Sequence, residues 1–316
     1  MKPILLGILA SFFFAATFVL NRMMSNAGGS WIWSASLRYL FMIPLLLLVV
    51  LARRGLGQLF HEMRQHVGQW LWWSFVGFGL FYAPLCFSAS YSPAWLVAGT
   101  WQITIIAGSL IVPFFYTEVV TQNGMIRLRK RIPFKGMGMS LIILLGIGIM
   151  EWSQSTSVTL WHLLFGAVPI LIAAFAYPLG NRKMMELCGE RLDAYQRTLG
   201  MAIASLPLWL ILSVYEWFWH GMPSAGQSLQ SFIVALFSGV IATVLFFSAT
   251  DMARGNVHRL ATVEATQSGE VVFTLFGELI FLPGTMISMA GLLGIVLVVL
   301  GMILHSLYSI RLQPVE

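Results

Sequence analysis

The sequence predicts an all-α integral membrane protein: ten transmembrane helices arranged as two inverted five-helix repeats. Three observations predict it. The 316 residues are 58% hydrophobic and only 9% charged, against about 25% charged residues in a soluble globular domain. A soluble chain of this length could not hide so much apolar surface. The apolar residues fall in runs of roughly 17–23, each able to cross ~30 Å of hydrocarbon as a helix. The sequence also resembles itself at an offset of about 160 residues.

In chain order the first runs are Ile4–Leu20, Ser34–Leu51, Trp70–Ser88, Trp95–Tyr116 and the shorter Met137–Met150. Leu160–Leu179, Tyr195–Trp217, Leu229–Ser248, Leu260–Leu282 and Met286–Ser306 follow. None alternates apolar and polar residues, as β-barrel spans do. Lys2 ahead of Ile4–Leu20 gives that run the look of a signal peptide. No small-x-small cleavage site follows, and the chain continues Asn21-Arg22-Met23-Met24, so it is read as a first span.

Charge sets the orientation. Net charge is +6, and the basic residues stand between the apolar runs. Alternate loops hold Arg53, Arg54 and Arg64; Arg127, Arg129, Lys130, Arg131 and Lys135; Arg182, Lys183, Arg191 and Arg197; and Arg254 and Arg259. Lys2 and Arg311 share that side, and the opposite loops hold only Arg22. The positive-inside rule places both termini in the cytoplasm, as an even number of spans requires. A cell (cytoplasmic) membrane is the expected location.

Five matches in the same order carry the repeat. Asn21-Arg22-Met23-Met24 recurs at Asn181–Met185, and the Ala35–Met42 pattern around Arg38 recurs at Ala194–Met201 around Arg197. Phe87–Ser90 recurs at Phe247–Thr250, Glu118 matches Glu278, and Gly136 and Gly146 match Gly291 and Gly301. The halves are residues 1–152 and 153–316. An odd number of spans per half inverts the second half, and inverted repeats of this kind bind solute near the midplane and alternate between two symmetry-related states.

These residues resemble the drug/metabolite transporter superfamily, and within it the ten-helix EamA-type members and the putative multidrug resistance efflux transporter family. Arg38 and Arg197, Glu118 and Glu278 and the Gly-rich fifth spans carry the likeness, which covers nearly the whole chain. It implies a solute cavity between spans one, three, four, six, eight and nine. Small multidrug-resistance relatives use a buried Glu in their first helix for proton-coupled drug binding, whereas spans one and six here contain no acid.

Span nine is the most polar. On a helical wheel Glu264, Gln267, Ser268, Glu270, Thr274 and Glu278 share a wedge of roughly 160°. Glu270 falls near the midplane, where an ionised carboxylate costs several kcal/mol unless a proton or a cavity relieves it. It reads as a proton or substrate carboxylate, or as a protonated Glu hydrogen-bonded to a neighbouring helix. Glu264 is expected about one turn inside the cytoplasmic end, paired with Arg259 or His258 or placed at the cavity mouth. Span four supplies Thr100, Trp101 and Gln102, with Gln102 matching Gln267 if the second half carries a short insertion. They are suited to hydrogen bonding and stacking a solute, or to joining helices. Arg38 either snorkels to the outer surface or attracts anions at the outer mouth. Arg197 reads as topogenic, and Glu118 and Glu278 as structural. Tyr177-Pro178 in span six could kink a gating helix. The fifth and tenth spans carry Gly for close helix packing, within one chain or between two.

Enzyme signals fail. His61-Glu-Met-Arg-Gln-His66 has its second His one residue late for a zincin helix. No nucleophile elbow, phosphate loop or Cys/His cluster is present, and Cys86 and Cys188 have no metal or disulfide spacing. No cofactor, metal or nucleic-acid partner is expected. The expected partners are a small-molecule substrate, the lipid bilayer and protons, in a monomer or homodimer. The reading is an exporter of metabolites or drugs, proton-coupled through Glu270. Its alternatives are an uncoupled facilitator for amino acids or related metabolites and a non-transporting receptor or scaffold.

Overall fold

A computed structural model describes residues 2–121, 124–129, 132, 134–155, 160–254, 256–282, 284 and 287–311. Helices α1 (Lys2–Asn26), α2 (Trp31–Ala52), the short α3 (Leu56–Gln65), α4 (Val67–Ser88) and α5 (Ala94–Leu110) come first. A hairpin of β1 (Tyr116–Thr121) and β2 (Gly124–Arg129) separates them from α6 (Phe134–Ser155), α7 (Leu160–Cys188), α8 (Ala194–His220) and α9 (Ala225–Met252). The chain ends with α10 (Val257–Ala265), α11 (Gly269–Phe281) and α12 (Met289–Arg311).

Six of these helices are long and apolar enough to cross a membrane: α1, α2, α4, α7, α8 and α9. Ala94–Leu110, Leu141–Ser153 and Met289–Leu304 are shorter apolar helices. The molecule is an all-α membrane protein, with one β-hairpin among the described residues. Its outward faces are apolar: Leu5, Ile8, Leu9 and Phe12 of α1 are exposed while Ala10, Phe14 and Phe18 are buried. The same holds for Leu292, Leu293 and Val296 of α12. Such surface is stable in lipid, where helices satisfy their own backbone hydrogen bonds.

The hairpin corrects one expectation. Pro113 sits in a 3-10 turn, Val112–Phe114, that ends the helical path. The β-branched run after Tyr116 then pairs antiparallel with Gly124–Arg129. Glu118 therefore stands in β1 opposite Arg127, not at the end of a span. Lys130 and Arg131 of the basic run lie outside the described residues. The segment around His61 is the helix α3, not a loop; its Glu62 is buried and paired with Arg191 at 2.9 Å.

Glycine lets two helix pairs touch by backbone. A Cβ on Gly146 of α6 would stand 2.7 Å from the Gly294 carbonyl of α12, and one on Gly301 would meet the Ile143 nitrogen at 3.0 Å. Ile143, Ile147, Ile295 and Val298 fill the remainder of this contact. The close packing expected of these glycines therefore occurs within the chain. Gly77 of α4 and Gly180 of α7 likewise abut, so that a side chain on either would overlap the other's backbone.

Four local irregularities interrupt the spans. α4 widens into a π-helical turn at Phe75–Gly79, and α9 into another at Ala235–Ala242. α5 consists of Ala94–Trp101 and Ile103–Leu110, broken at Gln102. A 3-10 turn, Thr266–Ser268, separates α10 from α11 at Gln267. π-turns and broken membrane helices are commonly found at functional sites.

Candidate functional site

The interrupted helices surround a central cavity. α1 contributes Phe14, Thr17 and Phe18; α2 contributes Arg38; α4 contributes Phe81 and Leu85. Trp101 comes from the break in α5, Tyr177 from α7, Ser238 from the π-turn of α9, and Gln267 and Glu270 from the α10–α11 break. The room for the centre of a water-sized sphere is about 10 Å³, about that of a single water. In this conformation the cavity is closed to a solute.

Five expected residues meet here: Glu270, Gln267, Trp101, Arg38 and Tyr177. Glu270 is 1% exposed, with the side chains of Trp101 and Gln267 at hydrogen-bonding range of its carboxyl. Its Oε1 makes no hydrogen bond. Tyr177 is 3% exposed, its hydroxyl has no partner, and it lies within electrostatic reach of both Glu270 and Arg38. The rings of Phe81 and Tyr177 have centroids 4.6 Å apart, and those of Phe81 and Trp101 5.1 Å apart. The break at Gln102 turns Trp101 inward, while Gln102 itself bonds the Ala98 carbonyl at 2.9 Å and leaves its own oxygen unpartnered. Thr100 faces away from the cavity, donating to Glu151 of α6.

Arg38 does not snorkel. It is 2% exposed, its guanidinium sits 4.0 Å from the centre of the Tyr82 ring, and Nε and Nη1 have no hydrogen-bond partner. The aromatic faces of Tyr82 and Tyr39 hold the cation inside. Arg197 makes an instructive contrast. It too is buried beside a ring, 4.6 Å from Phe247, but Asp251 neutralises it at 2.6 Å. It is a structural ion pair more than a topogenic surface charge. Among the described residues no carboxylate pairs with Arg38.

Glu264 lies outside the cavity lining, and its partner differs from the expectation. Arg182 of α7 clasps it with Nη2 2.6 Å from Oε2 and Nε 3.0 Å from Oε1, and donates through Nη1 to the Gly108 carbonyl at 2.6 Å. The guanidinium fork matches a carboxylate in two contacts, whereas Arg259 is exposed. The pair ties α5, α7 and α10 together. At the other end of span nine, Glu278 accepts from the backbone nitrogens of Ala94 and Trp95, the latter at 2.7 Å, and so caps α5. Sequence reasoning missed Phe14, Thr17, Phe18, Phe81, Leu85 and Ser238. Thr17 and Ser238, each a hydroxyl in an apolar run, carried a signal. Thr17 donates to Ser238 across the cavity in a short hydrogen bond.

The family described as "Putative multidrug resistance efflux transporter" matches residues 1–311. Among curated proteins, "Uncharacterized protein YjlA" of Bacillus subtilis (strain 168) is 53% identical over 314 residues, covering 99% of this chain and 97% of that one. A Shouchella clausii protein, "Uncharacterized 42.1 kDa protein in intracellular alkaline protease 3'region", is 48% identical over 270 residues, covering 85% of this chain and 70% of that one. A solved structure described as "Crystal structure of protein" superposes with a TM-score of 0.68 at 16% identity, over 99% of both chains.

Proposed function

The chain belongs to the family of putative multidrug resistance efflux transporters, and from that premise we infer that it exports a small organic solute through the central cavity by alternating access, with Glu270 exchanging the coupling proton. The observation that carries this reading is the cavity itself. A buried carboxylate with a free oxygen stands where two helices break, among Trp101, Tyr177 and Gln267.

Further features support the reading of two inverted halves, 1–152 and 153–316, completing ten spans with both termini cytoplasmic. The π-turns begin at Phe75 and Ala235, separated by about the repeat offset of 160. The breaks at Gln102 and Gln267 fall on residues already matched by sequence. Halves of this kind rock about a fixed site, opening it to one side at a time. The closed cavity fits an intermediate in that motion. The cytoplasmic membrane is the proposed location.

In the coupling step, Glu270 binds either a proton or the solute. Protonation removes the charge that the apolar surroundings oppose and frees the carrier to return. Proton movement in everted vesicles tests this: a pH-gradient dye is followed while amino acids, nucleosides and lipophilic cations are added. One class should dissipate the gradient, and Glu270→Gln should abolish the response. If nothing moves protons while labelled solute still exchanges, the protein is an uncoupled facilitator.

A further inference from the structure

The cavity holds a buried basic and a buried acidic side chain that no counter-charge among the described residues pairs. Arg38 and Glu270 both line it, each at least 98% buried. Nε and Nη1 of the arginine and Oε1 of the glutamate lack hydrogen-bond partners, and the two side chains form no ion pair with each other. A buried charge without a counter-charge is costly, and membrane proteins keep one where a ligand or ion supplies the partner. The second half shows the chain's own remedy when no ligand is involved: Asp251 neutralises Arg197 at 2.6 Å. The first half omits that acid. The rings of Phe81, Trp101 and Tyr177 line the same cavity and pack on one another.

We propose that the cavity recognises a zwitterion with an apolar or aromatic body, of the amino-acid type, with its carboxylate on Arg38 and its ammonium on Glu270. This rests on the reading of the cavity as the transport site. Guanidinium matches a carboxylate through two parallel hydrogen bonds, and Nε and Nη1 are free to make them. The ammonium supplies three donors, of which Glu270 Oε1 takes one. Trp101 and Tyr177 cover the body of the solute. A lone lipophilic cation would leave Arg38 unpaired and repelling it, and a lone carboxylate would leave Glu270 Oε1 without a donor. The zwitterion satisfies both.

The test uses the purified full chain in detergent and three probes sharing one ring: L-phenylalanine, phenethylamine, which lacks the carboxylate, and 3-phenylpropanoate, which lacks the ammonium. Binding is read from tryptophan fluorescence and checked by displacement of labelled phenylalanine. The wild-type protein should favour phenylalanine over each analogue by roughly tenfold or more, the worth of one charge-assisted hydrogen bond. Arg38→Gln should erase the preference over phenethylamine, and Glu270→Gln that over 3-phenylpropanoate. Phenethylamine binding as tightly as phenylalanine, 3-phenylpropanoate binding best, or none of the three binding would each overturn the proposal on wild-type protein alone, whatever the variants do. Counterflow of a wider solute panel in proteoliposomes separates the two failures. Flux of some other solute leaves the exporter standing and removes only the zwitterion; no flux of any solute removes both.

Discussion

Arg182 and Glu264 form a buried, two-pronged ion pair, 2.6 Å at its shortest, with side chains 7% and 8% exposed. The same guanidinium also binds the Gly108 carbonyl, so one side chain joins α5, α7 and α10. In the proposed orientation this contact stands on the cytoplasmic side of the cavity. For solute to enter from that side, the pair must part. It is positioned as a latch.

Removing one partner leaves the other buried and unpaired, a cost of about 3–5 kcal/mol in the latched state. Glu264→Gln should therefore favour opening toward the cytoplasm. A cysteine at the buried Ser109, one residue beyond the latched carbonyl, should react with a cytoplasmic maleimide faster in Glu264→Gln than in the parent. Both native cysteines are buried, so the background is low. Equal rates would show that the latch is not what closes this side.

Glu270→Gln separates coupling from flux. The amide keeps the shape of the carboxyl but cannot exchange a proton. Active accumulation should vanish in everted vesicles, while downhill counterflow persists at reduced rate. Loss of both, with the protein intact by size exclusion, would assign Glu270 to solute binding alone. Persistence of both would remove it from the mechanism.

The spans were legible in the sequence because hydrophobic length is a local property; seven of the ten runs sit within helices of matching position. The fourth was drawn too long, since Tyr116 reads as an aromatic span end. The β-branched residues after it were the available sign of a strand. Glu270, Gln267 and Trp101 were legible as cavity residues because polar groups in a span stand out. Arg38 was not, since an arginine near a span end reads as snorkelling until a ring 44 residues away is seen to cover it. The partner of Glu264 lies 82 residues distant, beyond any helical spacing rule, and the nearer Arg259 looked sufficient. Phe14 and Phe18 look the same in sequence whether they face lipid or solute.

The glycine contact between α6 and α12 predicts a stability effect without a functional one. Gly146→Val would place a branched side chain against the Gly294 carbonyl and Val298. Overpacking of this kind costs about 1–3 kcal/mol. Gly148→Val, on the same helix with nothing within 4 Å of its added Cβ, is the control. Thermal unfolding in detergent should show a lower midpoint for the first and an unchanged one for the second. Equal midpoints would mean that the two helices separate without consequence.

The charge of the cavity also fixes how membrane voltage acts on export. With Glu270 ionised and a zwitterion bound, the cavity sums to zero; empty with Glu270 protonated, it carries the single positive charge of Arg38. Each cycle then exports a neutral solute and returns one positive charge to the cytoplasm, equal to the proton that enters. An interior-negative potential should accelerate export, since 100 mV contributes about 2.3 kcal/mol per charge, or about fifty-fold in the attainable gradient. Proteoliposomes clamped with potassium and valinomycin, loaded with labelled phenylalanine, test this directly. Efflux should rise with interior-negative voltage in the parent and become insensitive to it in Glu270→Gln, where the proton no longer moves. Voltage-independent efflux in the parent, with proton exchange retained, would require that the solute carry a net positive charge outward, which returns the assignment to a cation and leaves Arg38 without its proposed partner.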